Sequence, residues 1–370
     1  MIRILQCVNN MHRAGLETLL MNYYRTMDRT KIQFDFLTHR PERSDYDDEI
    51  ESLGGKIYHA PRLYPQNYPT YFAYMKDFFA DHPEYKIVHS HIDSMSCLPL
   101  LAAKRAGIPV RIAHSHSTSI DLDFKYPLKQ CFRYGLRSAA NKYLACGQQA
   151  GEFLFGRRDF TVLPNAVDAE KFRYDPVCRD EKRRELGVTD QFVIGHAGRF
   201  TYAKNHEFLL KVLQSILKKE PNAVLLLAGT GEKEASIRNL AKTLCVDHAV
   251  RFLGSRSDME AIYQAMDVFV IPSRFEGIPV VGVEAQFAGL PCVFSDKVPE
   301  EVMFTDLCQF VSLRKNSEFW AEQILRYKNQ KRAEHHFDGS VFDIKHTSHI
   351  LEQFYLEQYH AIEADTGVTV

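Results

Sequence analysis

No two of the eight cysteines stand close together: Cys7, Cys97, Cys131, Cys146, Cys178, Cys245, Cys292 and Cys308 are spread along all 370 residues. Zinc ribbons and thioredoxin-like motifs need cysteines a few residues apart, so neither is supported. Several cysteines sit in apolar runs, as in Leu144-Ala145-Cys146, where a reduced thiol serves as a small hydrophobe and a cytoplasmic compartment fits. Also missing is any apolar run near the ~18–20 residues of a membrane span. The opening stretch Met1–Val8 is too short and wrongly flanked for a signal peptide and reads as a strand. Excess charge is lacking too. Lys and Arg number 46 against 47 Asp and Glu, a net of −1, so a nucleic-acid partner is not expected. With only 19 Gly and 15 Pro, collagen-like and low-complexity classes are excluded.

What is present is alternation. Short β-rich runs (Ile2–Val8, Ile32–Thr38, Lys56–His59, Lys86–His89, Val110–His114, Tyr143–Cys146, Thr161–Leu163) alternate with amphipathic stretches such as Gly15–Met27 and Tyr71–Asp81. Apolar strands between helices predict an α/β fold with a doubly wound parallel sheet. The pattern breaks at Pro164-Asn165-Ala166-Val167-Asp168 and the charged stretch Arg173–Glu185, which reads as an interdomain connection. It then restarts with Phe192–His196, Ala223–Ala228, Val250–Leu253, Val268–Ile271 and Pro291–Phe294. Two Rossmann-like domains are therefore expected, 1–165 and 166–345. The segment His349–Ile362 is an amphipathic helix that needs a partner.

Ligands of open α/β sheets bind outside the carboxyl ends of the strands, and two facing domains are expected to form a cleft there. One predicted strand ends in His196-Ala197-Gly198-Arg199-Phe200, with Lys204-Asn205 opening the next helix. Glycine backbone, helix N–H groups and two cations suit a diphosphate; a solvated basic helix start suits the residues about as well. No Walker loop occurs, and Gly229-Thr230-Gly231 lacks the third glycine of a dinucleotide fingerprint. After another strand comes Pro272-Ser273-Arg274-Phe275-Glu276-Gly277-Ile278-Pro279, with Pro279 expected at the first helical position and Glu284 within the helix. These two carboxylates can address the hydroxyls of one ligand, with Gly277 and Gly282 leaving room.

His89-Ser90-His91 and His114-Ser115-His116 both end predicted strands, and alternate residues of a strand share a face. The two groups could converge on zinc, but no carboxylate or cysteine completes the set at close spacing. A substrate-orienting histidine is the favoured reading, and no metal site is expected. Gly15 sits in a small-residue loop before the first helix. Lys125, Lys129, Arg133 and Arg137 recur every four residues, and residues 1–150 hold 19 Lys and Arg against 15 Asp and Glu. That stripe allows contact with an anionic membrane surface, though a solvated helix face is the favoured reading.

Taken together, these segments resemble the retaining glycosyltransferases of family 4, which have the GT-B architecture, and among them the bacterial enzymes of capsular and exopolysaccharide assembly. The likeness runs from Ala14-Gly15-Leu16-Glu17 through His114–His116 and Pro164–Asp168 to Gly198-Arg199 and Lys204-Asn205-His206. Its most specific part is Phe275-Glu276-Gly277-Ile278-Pro279 with Glu284-Ala285-Gln286, which matches the family's paired glutamates in spacing and flanks. The resemblance implies an acceptor-binding domain 1–165, a donor-binding domain 166–345, and a final helix (346–370) packed back on the first. It further implies that Arg199 and Lys204 bind the donor diphosphate, assisted by Gly198 and Asn205. Glu284 would hold the ribose, and Glu276 with Gly277, Ile278 and Pro279 the transferred sugar. Gly15 and Asn165 would approach the donor, and His116 or His114 would contact the sugar near its reacting carbon. No cofactor or metal is implied, only a nucleotide-sugar donor, expected to be UDP-linked, and a glycan or lipid-linked acceptor. Two departures stand out: Ala14-Gly15 replaces the usual double glycine, and Asn165-Ala166 the common Asn-Gly. A UDP-sugar epimerase or hydrolase of the same architecture is the competing enzyme reading, and a non-catalytic scaffold in envelope assembly the non-enzyme one.

Overall fold

Runs such as Val268-Phe269-Val270-Ile271 are buried along their whole length, which requires cover on both faces of a sheet. The computed structural model describes residues 1–117, 126–332 and 341–366. From the amino terminus run β1 (Ile2–Cys7), α1 (Gly15–Thr26), β2 (Ile32–Thr38), α2 (Asp47–Ser52), β3 (Ile57–His59), α3 (Tyr68–Asp81), β4 (Ile87–Ser90) and α4 (Cys97–Arg105). Next come β5 (Val110–Ser115), α5 (Tyr126–Ala139), β6 (Lys142–Ala145), α6 (Gln148–Phe155) and β7 (Thr161–Val162). The second series is α7 (Ala169–Phe172), α8 (Pro176–Glu185), β8 (Phe192–Ala197), α9 (His206–Leu217), β9 (Ala223–Ala228), α10 (Glu234–Thr243) and β10 (Val250–Gly254). It continues through α11 (Met259–Ala265), β11 (Val268–Ile271), α12 (Val280–Phe287), β12 (Cys292–Ser295), β13 (Cys308–Val311) and α13 (Ser317–Leu325), and α14 (Ile344–Thr366) closes the chain.

The chain divides into two compact units, Met1–Ala166 with Val341–Val370, and Val167–Ser340. Each is built on one parallel sheet. The first has strand order β3-β2-β1-β4-β5-β6-β7 and the second β10-β9-β8-β11-β12-β13. Strand order therefore reverses between β1 and β4, and again between β8 and β11, and at each reversal a crevice opens at the carboxyl ends.

The final helix belongs to the first unit. Ile344, Leu351 and Tyr355 of α14 are buried in one cluster with Tyr23 of α1 and Phe34 of β2, and Tyr355 meets Phe34 edge-on at 6.0 Å. Each such apolar side chain contributes roughly 1.5–3 kcal/mol by leaving water. The expected amphipathic stretch is longer than its apolar pattern indicated, because Asp343 starts it by capping Lys345 N–H.

One expectation fails outright. The charged stretch Arg173–Glu185 is not a bare connection, since Pro176–Glu185 forms α8. Asp175 caps its start by accepting from the N–H groups of Val177 and Cys178. Arg183 is buried and donates to the carbonyls of Thr189, Gln191 and Ala265, and Arg179 to those of Gln264 and Met266. Both also pair with Asp267, which accepts Val193 N–H at 2.7 Å. These charges serve as buried tethers holding α8 to the amino end of β11. Arg183→Met is therefore expected to lower the free energy of unfolding by about 3 kcal/mol in a urea titration. A loss within the ~0.5 kcal/mol of an exposed substitution would return α8 to a solvated connection.

Candidate active site

In the second unit the loop leaving β8 is zipped to the loop leaving β9. Gly198 N–H donates to Ala228 O at 2.9 Å, and Phe200 N–H to Thr230 O at 2.9 Å. The approach demands glycine. A Cβ at Gly229 (φ +129°) would fall 2.2 Å from Gly198 O, and one at Gly231 (φ +158°) 2.7 Å from Phe200 N. The Gly-Thr-Gly sequence, set aside as an incomplete fingerprint, thus acts as the backbone support of Gly198 and Arg199.

The loop leaving β8 is also clamped to the loop leaving β11, across the reversal of strand order. Lys204 Nζ lies 2.6 Å from Glu276 Oε1, and Ser273 Oγ donates to the same oxygen at 2.6 Å. The pair is largely withdrawn from water, with side-chain exposures of 21% for Lys204 and 10% for Glu276. Asn205 takes a left-handed conformation (φ +58°, ψ 37°), which Asn tolerates better than most residues, and donates Nδ2–H to Pro272 O at 3.0 Å. Arg274 N–H adds a bond to Ala203 O at 2.7 Å. Gly198, Lys204, Asn205 and Glu276 are thereby brought together, with Arg199 exposed beside them.

Gly277, Ile278 and Pro279 carry the chain into α12. Ile278 is buried, and Pro279 stands at the N-cap, one position before the first helical residue where it was expected. Gly282 leaves no room for a ligand either. A Cβ there would meet Phe294 at 3.2 Å and Ile271 at 3.3 Å, so this glycine serves close packing of α12 on the sheet. Glu284 has a different partner, Tyr263, whose hydroxyl donates to Glu284 Oε2 at 2.8 Å. Burial pushes the Glu284 carboxyl up to about 7, against the lowering effects of Tyr263 and Lys171.

The first unit gathers its histidines at the carboxyl ends of β4 and β5. Both His-Ser-His groups do converge. His89 and His114 stack with ring centroids 5.2 Å apart, and His114 and His116 lie 4.1 Å apart. His114 Nδ1 is 3.2 Å from His89 Nε2, and His91 Nδ1 is 3.0 Å from His116 Nε2. Burial holds His89, His91 and His114 well below the ordinary histidine range and His116 at about 3, so all four rings are neutral near pH 7. Nitrogens of His89, His91 and His114 lie within 4.8 Å of one another, a spacing that could hold a metal ion. Those rings nevertheless use nearly all their nitrogens in hydrogen bonds.

Two further partners carried no readable signal in sequence. Gln6 of β1 stands in register opposite His89 and bonds His91, and Tyr355 of α14 bonds His89. Asp93, with φ +46°, accepts His116 N–H at 3.1 Å and Ser117 Oγ–H at 2.9 Å, which orients the second histidine group. Gly15 is the first residue of α1, behind Ala14, which offers no side-chain cap. A Cβ at Gly15 would meet nothing within 4 Å, so no neighbour in the protein requires glycine there. Asn165 follows β7 between Pro164, whose carbonyl accepts from Tyr23, and the buried Ala166. Of the basic stripe, Lys125 lies outside the described residues. Lys129 and Arg133 are half-buried, Arg133 over the Phe153 ring, while Arg137 is exposed. Among the described residues no helix is long and apolar enough to cross a membrane.

Known proteins bear on this geometry. The model of "Glycosyltransferase Family 4" matches residues 13–171, and that of "Glycosyl transferases group 1" matches residues 178–339. The putative glycosyltransferase EpsF of Bacillus subtilis is 38% identical over 334 residues, covering 88% of this chain and 87% of that protein. The chain belongs to the family 4 glycosyltransferases. It is also similar to the capsular polysaccharide biosynthesis glycosyltransferase CapH of Staphylococcus aureus, 24% identical over 97% of this chain and 99% of the relative. The crystal structure of Anabaena HepE in complex with UDP and glucose matches with a TM-score of 0.75 at 18% identity over 100% of both chains. At that identity the match speaks to the fold, the GT-B architecture of this glycosyltransferase family.

The raised carboxyl of Glu284 gives a pH signature. A carboxyl that titrates at about 7 in the folded state and near 4.5 unfolded binds its proton more tightly when folded. Its contribution to stability is thus fully present below 4.5 and lost as pH rises towards 7. Glu284→Gln, which cannot ionise, is expected to gain stability relative to the parent across that window in denaturant titrations. A difference that stays level from pH 4.5 to 8 would show that Glu284 is not held in a desolvated site.

Proposed function

We propose that this family 4 glycosyltransferase moves a sugar, with retention at the anomeric carbon, from a nucleotide diphosphate sugar to a glycan or lipid-linked glycan. The setting proposed is cell-surface polysaccharide biosynthesis and the donor a UDP-sugar. The observation that carries the reading is the Lys204–Glu276–Ser273 contact at the strand-order reversal, beside Gly198 and Arg199. It supplies cations for a leaving diphosphate and an oriented carboxylate for sugar hydroxyls. Similarity to CapH supports the polysaccharide setting, and the UDP bound in HepE supports a uridine donor.

In the proposed reaction the bond from the anomeric carbon to the phosphate oxygen breaks as the bond to the acceptor oxygen forms on the same face. The acceptor's proton passes to the departing phosphate oxygen, so no residue need be a covalent nucleophile. Arg199 and Lys204 stabilise the charge that grows on the diphosphate, the largest contribution in catalysis of this kind, and no metal ion is required. Glu276, oriented by Lys204 and Ser273, accepts from hydroxyls of the transferred sugar, with Gly277, Ile278 and Pro279 shaping that subsite. Asn205 and Gly198 hold the loop to the phosphates, and Glu284 accepts from the ribose. In the first unit, Gly15 and Asn165 are assigned to the donor and the His114/His116 pair to the transferred sugar, His116 being favoured.

Acceptor binding is assigned to the first unit. It has a pocket of about 240 Å³ lined by Asn9, His39, Arg40, Arg62, Tyr68 and Lys129, among others. Its mix of guanidinium, ammonium and aromatic groups suits a sugar attached to phosphate. The exposed Arg137 and Tyr134 of α5, with the guanidinium over the ring, offer a peripheral contact to an anionic cytoplasmic membrane face.

With a panel of nucleotide sugars and lipid-linked acceptors, transfer is expected from at least one donor, giving a product of unchanged anomeric configuration by NMR. Glu276→Ala and Lys204→Ala should each lower kcat by at least about 100-fold. Free sugar or an epimer released without acceptor would favour the hydrolase or epimerase. Full transfer by the double variant would remove the site assignment. In vesicle co-sedimentation, binding to anionic lipid should fall on Arg137→Ala and vanish near 1 M salt, where the Debye length is about 3 Å. Binding indifferent to both would reject the membrane contact.

A further inference from the structure

The four histidines of the first unit form one hydrogen-bonded assembly with Gln6 and Tyr355. A neutral imidazole has one N–H donor and one bare nitrogen, so each bond fixes the next. Gln6 Nε2 lies 3.2 Å from Tyr355 Oη, and as an amide N–H it donates there. The hydroxyl's own hydrogen is then directed to His89 Nδ1, 2.6 Å away. With Nδ1 accepting, His89 carries its proton on Nε2 and donates across 3.2 Å to His114 Nδ1. His114 must in turn carry its proton on Nε2. The second branch begins at Gln6 Oε1, which accepts from His91 Nε2–H at 2.8 Å. His91 Nδ1 is then bare and accepts from His116 Nε2–H at 3.0 Å.

One buried atom of the assembly is left over. His114 is 2% exposed, and its Nε2 has no hydrogen-bond partner among the described residues. A buried polar group without a partner costs roughly 1–3 kcal/mol, which a bound ligand can return. We infer that Gln6 and Tyr355 are positioning residues that set the tautomers of all four histidines, so that His114 keeps its Nε2–H as a hydrogen-bond donor for an oxygen of the bound substrate. The role of α14 then extends beyond packing. Its Tyr355 hydroxyl, reaching β4 from the far end of the sequence, transmits the polarity of the Gln6 amide to His89 and His114. The inference rests on the assignment of the His114/His116 pair to substrate.

Histidine-labelled 15N NMR of the full chain at neutral pH reads the tautomers directly. In the parent, His114 and His116 are both expected to be protonated on Nε2. Gln6→Glu replaces the amide donor with an acceptor at nearly the same size. Tyr355 then donates to the carboxylate and accepts from His89 Nδ1–H, so His114 should switch to Nδ1–H while His116 keeps Nε2–H. Tyr355→Phe keeps the ring but cuts the relay, and His114 should then populate both tautomers. In the transfer assay, kcat of Gln6→Glu should fall about tenfold, equivalent to ~1.4 kcal/mol, with little change in KM for the donor. A parent His114 protonated on Nδ1, or a His114 signal unchanged in both variants, would overturn the inference. Because the spectra need no substrate, switched tautomers in a protein that transfers no sugar would count against the proposed function and leave the relay standing.

Discussion

A parallel strand covered by helices on both faces has almost no place for a polar side chain until its carboxyl end. There, each polar group must find a partner or await a ligand, because leaving it bare in a desolvated site is expensive. β4, β5, β8 and β11 obey this closely. Apart from Arg111 of β5 and Gly195 and His196 of β8, their bodies are Val, Ile, Phe and Ala, and their ends release His89, His91, His114, His116, Gly198, Arg199 and Ser273 to Glu276. Everything functional in the molecule follows from how that crowd of polar groups is satisfied.

The two units solve the problem with different chemistry. In the second, opposite charges meet: Lys204 neutralises Glu276, Ser273 shares the same carboxylate oxygen, and the contact joins loops from two neighbouring strands. In the proposed reaction such a pair suits a substrate carrying both a diphosphate and hydroxyls, since the ammonium and the carboxylate each have a ligand group of their own preference. In the first unit the clustered histidine rings carry no charge. Four neutral rings, with Gln6 and Tyr355, satisfy one another through alternating donors and acceptors, which makes the arrangement directional and leaves a single buried nitrogen, His114 Nε2, without a partner among the described residues.

The amino ends of the strands carry charge as well, but for another purpose. Asp267, just before β11, receives Arg179 and Arg183 from α8, and Arg332 donates to the carbonyls of Tyr263, Gln264 and Met266 nearby. These guanidinium groups saturate backbone carbonyls that would otherwise be buried unpaired. Charge density alone therefore does not mark a site. Arg183 and Lys204 look alike in the chain, yet one closes carbonyls and the other faces a carboxylate at the strand-order reversal.

Strand placement was legible because the signal is local: a doubly buried strand must be apolar, so Val268–Ile271 or Ala223–Ala228 announces itself. β13 escaped because three of its four residues, among them Gln309, are only half-buried at the sheet edge, and α8 because its buried residue is an arginine. The paired glutamates, Lys204, and both histidine groups were legible as motifs, since spacing along one loop or strand end is itself sequence information. By contrast, Gln6, Tyr263, Asp93 and Tyr355 acquire meaning only through partners 21 to 349 residues away, or, for Asp93, through its turn beneath His116. The same is true of Gly229 and Gly231, whose φ angles matter because Gly198 and Phe200 lie against them. Sequence by itself determined the alternation of strands and helices and which residue types gather at the strand ends, because those follow from burial and chain connectivity. Only the tertiary structure decided which partner each polar group meets, and hence its charge, tautomer and orientation, because hydrogen bonds act over a few ångströms and the partners come from distant parts of the chain.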